Sequence, residues 1–328
     1  MTSLYFTYET EQLEPNIEGD LREVATLNYL EKKILLALEK EDIDDAEMYS
    51  SLATYLHINI SKEILTKIDD ENTVWKKSVR HGKSFSQGFI SGEAHNGVAL
   101  TGAIISDMTV VGDVRDMYKE GTKMAKGDDY DKFTLGIATI GLALTASTYI
   151  SLGTTAPLKI GESIIKVAKK TGRISKAFLE VLSSKLAKTV DFSLLKRVDW
   201  SSMRKMKNSA KTFFKTIDIS HMKKIFNNVA DISKNTSKID SIKIMKYIDK
   251  PKDMKRALSL SKKFKKNTVA VFKILGKGAL KTGKIVTKYT ALFIWELVLA
   301  TLSFFGFIGL FIVKYLMLKA VRRTVLAN

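Results

Sequence analysis

Tyr289 to Val313 is a run of 25 residues with one charged side chain, Glu296, bracketed by Lys288 and Lys314. As a helix rising 1.5 Å per residue it would be about 38 Å long, more than the roughly 30 Å hydrocarbon core of a bilayer. It is apolar on every face, so it suits neither an amphipathic surface helix nor a solvated one. Trp295, with Tyr289 and Tyr315 near the ends, stands where interfacial aromatics stand, and Lys319, Arg322 and Arg323 follow. Glu296 is costly in lipid and belongs at the interface or against a polar partner. The alternative to a single inserted helix is a shallow hairpin broken at Gly306 and Gly309. Membrane insertion through Trp295, Glu296, Gly306 and Gly309 is the expectation.

A second long run, Phe133 to Leu158, has no charge over 26 residues. Its small residues, among them Gly136, Gly141, Ala143 and Ser147, suit close helix packing in a membrane and equally suit a buried soluble helix. Ahead of it, Val98 to Val111 is apolar except for Asp107. If both arms insert, they form a helical hairpin whose turn carries Gly112, Asp113, Arg115 and Asp116, with Gly141 and Ala143 on its packed face and Asp107 as the one charge of the first arm. Asp107, Asp113 and Asp116 partly share a helix face, and with Arg115 among them a structural salt bridge accounts for the pattern.

The charge is segregated. The chain carries 53 Lys+Arg against 35 Asp+Glu, a net +18. Residues 1–80 have 9 positive and 17 negative charges, and residues 159–288 have 34 and 9. With 45% apolar residues, this is no disordered basic tail. The positive-inside rule places the basic block on the cytoplasmic side. A fully spanning C-terminal segment would then export Lys314, Lys319, Arg322 and Arg323. Either that segment is re-entrant or the middle hairpin does not span.

Four segments follow: 1–80, an acidic helical cap; 81–158, a Gly-rich apolar hairpin; 159–288, a strongly basic amphipathic helical domain; and 289–328, the C-terminal membrane segment with a basic tail. In the cap, Leu21, Val24, Leu27, Leu30, Ile34 and Leu38 keep helical spacing, as do Met48, Leu52, Leu56 and Ile60. Glu41 to Asp45 place acids where a helix N-terminus favours them. In the basic block Met222, Ile225, Phe226, Val229 and Ile232 fit the i, i+3, i+4, i+7 stripe, and Ser220 is expected to cap that helix. The N-terminus lacks the basic and apolar regions of a secretory leader, so no cleaved signal peptide is expected.

Lysine-rich surfaces attract phosphate of any kind, lipid headgroups included. Lys169, Lys170, Lys205, Lys207, Lys223, Lys224, Lys262, Lys263, Lys265 and Lys266 are the expected anionic-surface contacts. Arginine, which reads bases by bidentate contacts, is scarce in the block: Arg173, Arg197, Arg204 and Arg256. Lying between two lipid-compatible runs, the block favours anionic membrane lipid over nucleic acid or an acidic protein as partner.

Catalytic signatures are lacking. With no Cys and four scattered His there is no disulfide framework, thiol nucleophile or usual metal signature. Gly82-Lys83-Ser84 ends like a phosphate-binding loop, but Lys77 stands where its first Gly belongs. Glu93-Ala94-His95 has no third ligand or nucleophile at a diagnostic spacing, and His57 and His221 sit within helical patterns. No enzyme activity, cofactor or metal is expected.

The run SGEAHNGVALTGAIISDMTVVGDVRDMYKEG, followed by DDYDKFTLGIATIGLALTASTYISLG, resembles an uncharacterised family of basic, helical, membrane-associated proteobacterial proteins. Its marks are a Gly-rich apolar arm, a turn built on Gly112, Asp113, Arg115 and Asp116, a second apolar arm and a Lys-rich helical half. The resemblance implies architecture and no catalytic residue. The plan is also similar, in architecture only, to pore-forming bacterial toxins. The expected protein is all-α, bacterial or phage-derived, with amphipathic basic helices around a hydrophobic hairpin and an apolar C-terminal membrane segment. It would dock on anionic lipid, insert its hairpin and C-terminal segment, and assemble as a homo-oligomer that alters permeability. The alternative is a membrane-anchored interaction or structural protein whose basic domain holds nucleic acid or an acidic partner. The place of action is the bacterial inner membrane, at its cytoplasmic face, or a target-cell membrane.

Overall fold

A computed structural model describes residues 8–13, 15–71, 110–150, 155–281, 284–289, 298–299, 301–310 and 314–315. The chain divides into two compact units, 17–280 and a smaller one made of 1–16 with 281–328.

The described part of the larger unit is entirely helical. In order it has α1 Ile17–Val24, α2 Leu27–Glu39, α3 Ile43–Tyr55, α4 Lys62–Glu71, α5 Val110–Lys126, α6 Lys132–Ile150, α7 Ala156–Lys170 and α8 Lys176–Thr189. After these come α9 Phe192–Leu195, α10 Met203–Phe214, α11 Ser220–Asn235, α12 Lys238–Met245, α13 Pro251–Phe264 and α14 Thr268–Leu275. Short side-chain caps set many of the starts. Thr26, Asp42, Ser175, Ser202 and Ser237 each accept from a backbone N–H three residues on, satisfying a donor that the helix leaves open. Ser220 does not cap α11. It is the first helical residue, and Asp218 accepts from its N–H at 2.9 Å.

One continuous core joins helices from all three expected segments of this unit. The acidic helices α1 and α3 pack on α14, near the end of the basic block. Lys273 of α14 pairs with Asp45 of α3, and Lys263 reaches Glu18 at 3.5 Å. At the centre α7 and α11 cross at close range: a Cβ at Gly161 would collide with the backbone carbonyl of Phe226, so only glycine permits this approach.

The run from Phe133 is resolved here as part of that core. α6 packs on α5, α7, α8 and α10. Leu135, Ile137, Ala138 and Ile140 are fully buried, and Gly141 and Ala143 are buried with them. The part of the second arm from Leu135 to Leu144 is thus buried in the protein. Of its mate, Val98 to Val111, residues 98–109 with Asp107 lie outside the described residues, while Val110 and Val111 begin α5. Gly112, Asp113, Arg115 and Asp116 do not form a turn. They lie in the first two turns of α5, because Val114 and Met117 supply a helical stripe that packs on the core.

In the smaller unit, β1 (Tyr8–Leu13) pairs antiparallel with β2 (Lys284–Tyr289), Tyr8 opposite Tyr289 and Leu13 opposite Lys284. This ribbon is the exception to the expected all-helical chain. Residues 298–299, 301–310 and 314–315 are helical. Among the described residues no helix is long and apolar enough to cross a membrane.

Candidate functional site

Two features stand apart from ordinary packing: an exposed apolar helix and a buried ladder of charges. The apolar helix is described at residues 298–299 and 301–310, where Thr301 and Ser303 return their hydroxyls to the carbonyls of Val298 and Leu299, at 3.0 and 2.8 Å. Leu302 is 63% exposed, Phe305 67%, Phe307 70% and Leu310 72%. At about 100° per residue these positions, with Phe304 and Ile308, go round the full circumference. Among the described residues of this helix no face is buried. Gly306 and Gly309 sit inside the helical stretch 301–310, which therefore does not take the alternative break at these glycines, and nothing lies within 4 Å of a Cβ added at either. Trp295 and Glu296 lie outside the described residues.

The ladder joins α5 to α7. Asp113, fully buried, accepts from both Lys159 and Lys166. Lys159 also donates to Glu162 at 2.6 Å, and Lys166 lies 3.8 Å from Asp116, which pairs with Lys170 at 2.6 Å. Arg115 reaches Asp116 at 3.1 Å, so the expected local bridge forms, but lysines of another helix carry the larger share. The ladder continues outward through Glu120, which accepts the Asp131 N–H at 2.9 Å, and Asp131, which pairs with Lys169 and caps α6 through Thr134.

Glycine makes room for it: a Cβ at Gly141 of α6 would strike the Asp113 carboxylate. Electrostatics differ along its length. Burial pulls Lys159 down, but Glu162 and Asp113 outweigh that and raise its pKa. Asp116 is pushed up by burial, yet Lys170 and Lys166 bring it below the usual range. Glu162 goes the other way: burial first, then Asp113, push it up to about 7. Its Oε1 is buried without a hydrogen-bond partner, while Oε2 takes Lys159 and, at 3.2 Å, Ser163. The spacing 113, 116, 120 against 159, 162, 166, 170 is visible in the sequence as two charged stripes of helical period. That they face each other is tertiary information.

The expected anionic-surface lysines separate into three groups. Lys169 and Lys170 belong to the ladder, and both are only half-buried ends of ion pairs. Lys205 lies 4.0 Å from Asp199, and Lys263 is shared between Glu18 and the ring of Phe264. Lys207, Lys223, Lys224, Lys262, Lys265 and Lys266 are exposed, with no carboxylate partner among the described residues. No group of three or more metal-ligating side chains converges among the described residues. Comparison with protein families, with curated proteins and with solved structures finds no match.

Proposed function

We propose that the chain is a membrane-anchored helical protein, held in lipid by its apolar C-terminal run and steadied at the surface by lysines of the helical body. The carrying observation is the exposure of apolar side chains around the whole circumference of residues 301–310. Patches of this size on a lone chain mark a partner or a membrane, and a helix without a polar face suits hydrocarbon better than a protein groove. Lys288 and Lys314, at the two ends of the run, fit headgroups that long cationic side chains reach from within the bilayer. The six unpartnered lysines add an electrostatic attraction to anionic lipid of about 1 kcal/mol for each one near the surface.

Anchoring is preferred to pore formation. Residues 135–144 already serve as the core of the body, so inserting them would mean dismantling the contacts of α6 with four helices. Deleting residues 289–328 should shift the chain from the carbonate-resistant membrane pellet to the supernatant. Extraction of the intact chain by carbonate would end the anchoring reading. Rapid release of dye from anionic vesicles by the intact chain would restore the permeability reading in its place.

A further inference from the structure

Where the acidic cap meets the end of the basic block, four cations come together from three parts of the larger unit. Arg173 follows Gly172 (φ +65°) in the turn that ends α7, its N–H returned to the Ala168 carbonyl at 2.7 Å. Lys243 and Lys246 come from α12 and its C-cap, and Lys273 from α14. Three of the charges have different fates. Lys273 is paired with Asp45. Lys243 lies within the influence of Asp42 and Asp240. Arg173 has a buried Nη1 with no hydrogen-bond partner, and no carboxylate pairs with it among the described residues. A guanidinium cannot shed its proton to escape such a site, and a buried donor left open calls for a counter-group.

Lys246, an exposed lysine, stands beside this turn: the Ser175 hydroxyl donates to the Ile248 carbonyl at 2.6 Å, tying the segment that carries Arg173 to the end of α12. The Lys246 ammonium lies 4.9 Å from the centre of the Tyr247 ring, which is itself stacked on Phe272 at 5.0 Å. Burial pulls Lys246 down first, repulsion from Lys273 and Arg173 pulls it further, and Asp45 offsets only part. Burial alone pulls Arg173 down. A buried guanidinium donor left open and an exposed ammonium near enough to repel it, neither paired with a carboxylate among the described residues, are better answered by an anion than by water.

We propose that Arg173 and Lys246, backed by Lys273 and the Tyr247 ring, form a binding site for a phosphate-type oxyanion, the planar guanidinium supplying a paired donor and Lys246 a point charge. Inorganic phosphate and a phosphate monoester headgroup share this chemistry. The site lies wholly in the helical body and does not depend on the membrane anchor.

The test uses the full-length chain in non-ionic detergent, which keeps anchoring out of the measurement. Inorganic phosphate is titrated at pH 8 with chloride holding ionic strength constant, and binding is read from the unfolding temperature and from the phosphorus-31 linewidth. The parent should be stabilised progressively with phosphate. Arg173→Gln and Lys246→Gln should each weaken binding by about tenfold or more, the loss expected for a charge-assisted contact. Lys207→Gln, an exposed lysine elsewhere, should bind as the parent does. If one variant fails to fold, the other and the linewidth still decide. Equal responses from all four chains, or no response in the parent beyond chloride, would overturn the proposal. Competition between vesicles bearing phosphatidic acid and free phosphate would assign the site to a lipid headgroup; free phosphate that neutral and acidic vesicles leave undisturbed would assign it to the soluble anion.

Discussion

α6 and the helix at 301–310 are both made almost wholly of apolar and small residues, yet one is buried from Leu135 through Leu144 and the other is exposed round its circumference. Hydropathy does not separate them; neighbours do. α6 is met by helices that each offer an apolar stripe, and its glycines admit what those helices bring: Leu186 over Gly136, the Asp113 carboxylate over Gly141. Gly306 and Gly309 admit nothing. An apolar helix is therefore a core helix only if the rest of the sequence supplies amphipathic partners of matching length. Length and composition alone leave the choice between core and membrane open.

The sharpest way to break this comparison is to put the same bulk at a glycine in each helix. Gly141→Leu should drive the Asp113 carboxylate away from Lys159 and Lys166, and breaking such a buried pair costs about 3–5 kcal/mol before overpacking is added. Thermal or denaturant unfolding of the body should show a loss of at least that size, or no folded body at all. Gly306→Leu should leave the same transition within about 0.5 kcal/mol of the parent. A well-folded Gly141→Leu chain would mean that the ladder is not assembled as described. The result also bears on reading vesicle experiments: loss of membrane activity on Gly141→Arg or Ala143→Arg would report an unfolded body, since both positions are core.

A smaller effect sharpens the inner half of the comparison. Glu162 has a folded-state pKa above the ordinary value of 4.5, at about 7. A raised carboxyl stabilises the fold fully below the unfolded value, and that contribution disappears as pH rises from about 4.5 through 7. The window is worth on the order of 3 kcal/mol. Asp116, lowered, contributes in the opposite sense and loses its share only as pH falls below about 4. Stability of the body should therefore fall between pH 5 and 8, and Glu162→Gln should flatten that slope and stabilise the protein at pH 8. A slope that survives in Glu162→Gln would assign the proton uptake to another group.

The smallest expected effect on the body belongs to Leu302→Lys. Unfolding of the body should move by less than about 0.5 kcal/mol, since the side chain is 63% exposed and packs on no core. Membrane partition should nevertheless weaken by about 2.5–3.5 kcal/mol if position 302 lies near the bilayer centre, read by flotation with liposomes. A large drop in body stability would show that the C-terminal helix has a protein seat.

Much of the body was legible from periodicity. The stripe Met222, Ile225, Phe226, Val229 and Ile232 is buried throughout, as are Leu21, Leu30, Ile34, Leu52 and Leu56. The same pattern overreached at Val24 and Leu27, each 41% exposed, because α1 ends at Val24 and the chain turns before α2. Asp42 caps α3 where acids cluster, whereas Ser220 lost its expected role to a start set one residue earlier. The ladder was only half legible. Helical spacing puts the acids of α5 on one face and the lysines of α7 on another, but Lys169 and Lys170 read as solvent-facing because nothing local reveals the carboxylates opposite. Arg173 gave no signal at all: its site is assembled from residues up to 100 positions apart.

The ribbon of β1 and β2 has a consequence for the order of events during synthesis. Its partners are separated by roughly 270–280 residues, so β1 leaves the ribosome long before β2 exists. Closing so large a loop is slow unless the intervening chain has already folded and drawn its ends together. Domains fold as units while synthesis proceeds from the N-terminus. The helical body is thus complete, or nearly so, when Lys284 to Tyr289 appear, and the apolar run emerges directly behind them. The strand pairing and the emergence of the apolar run fall within the same few seconds, so the helical body has its core in place before that run leaves the ribosome.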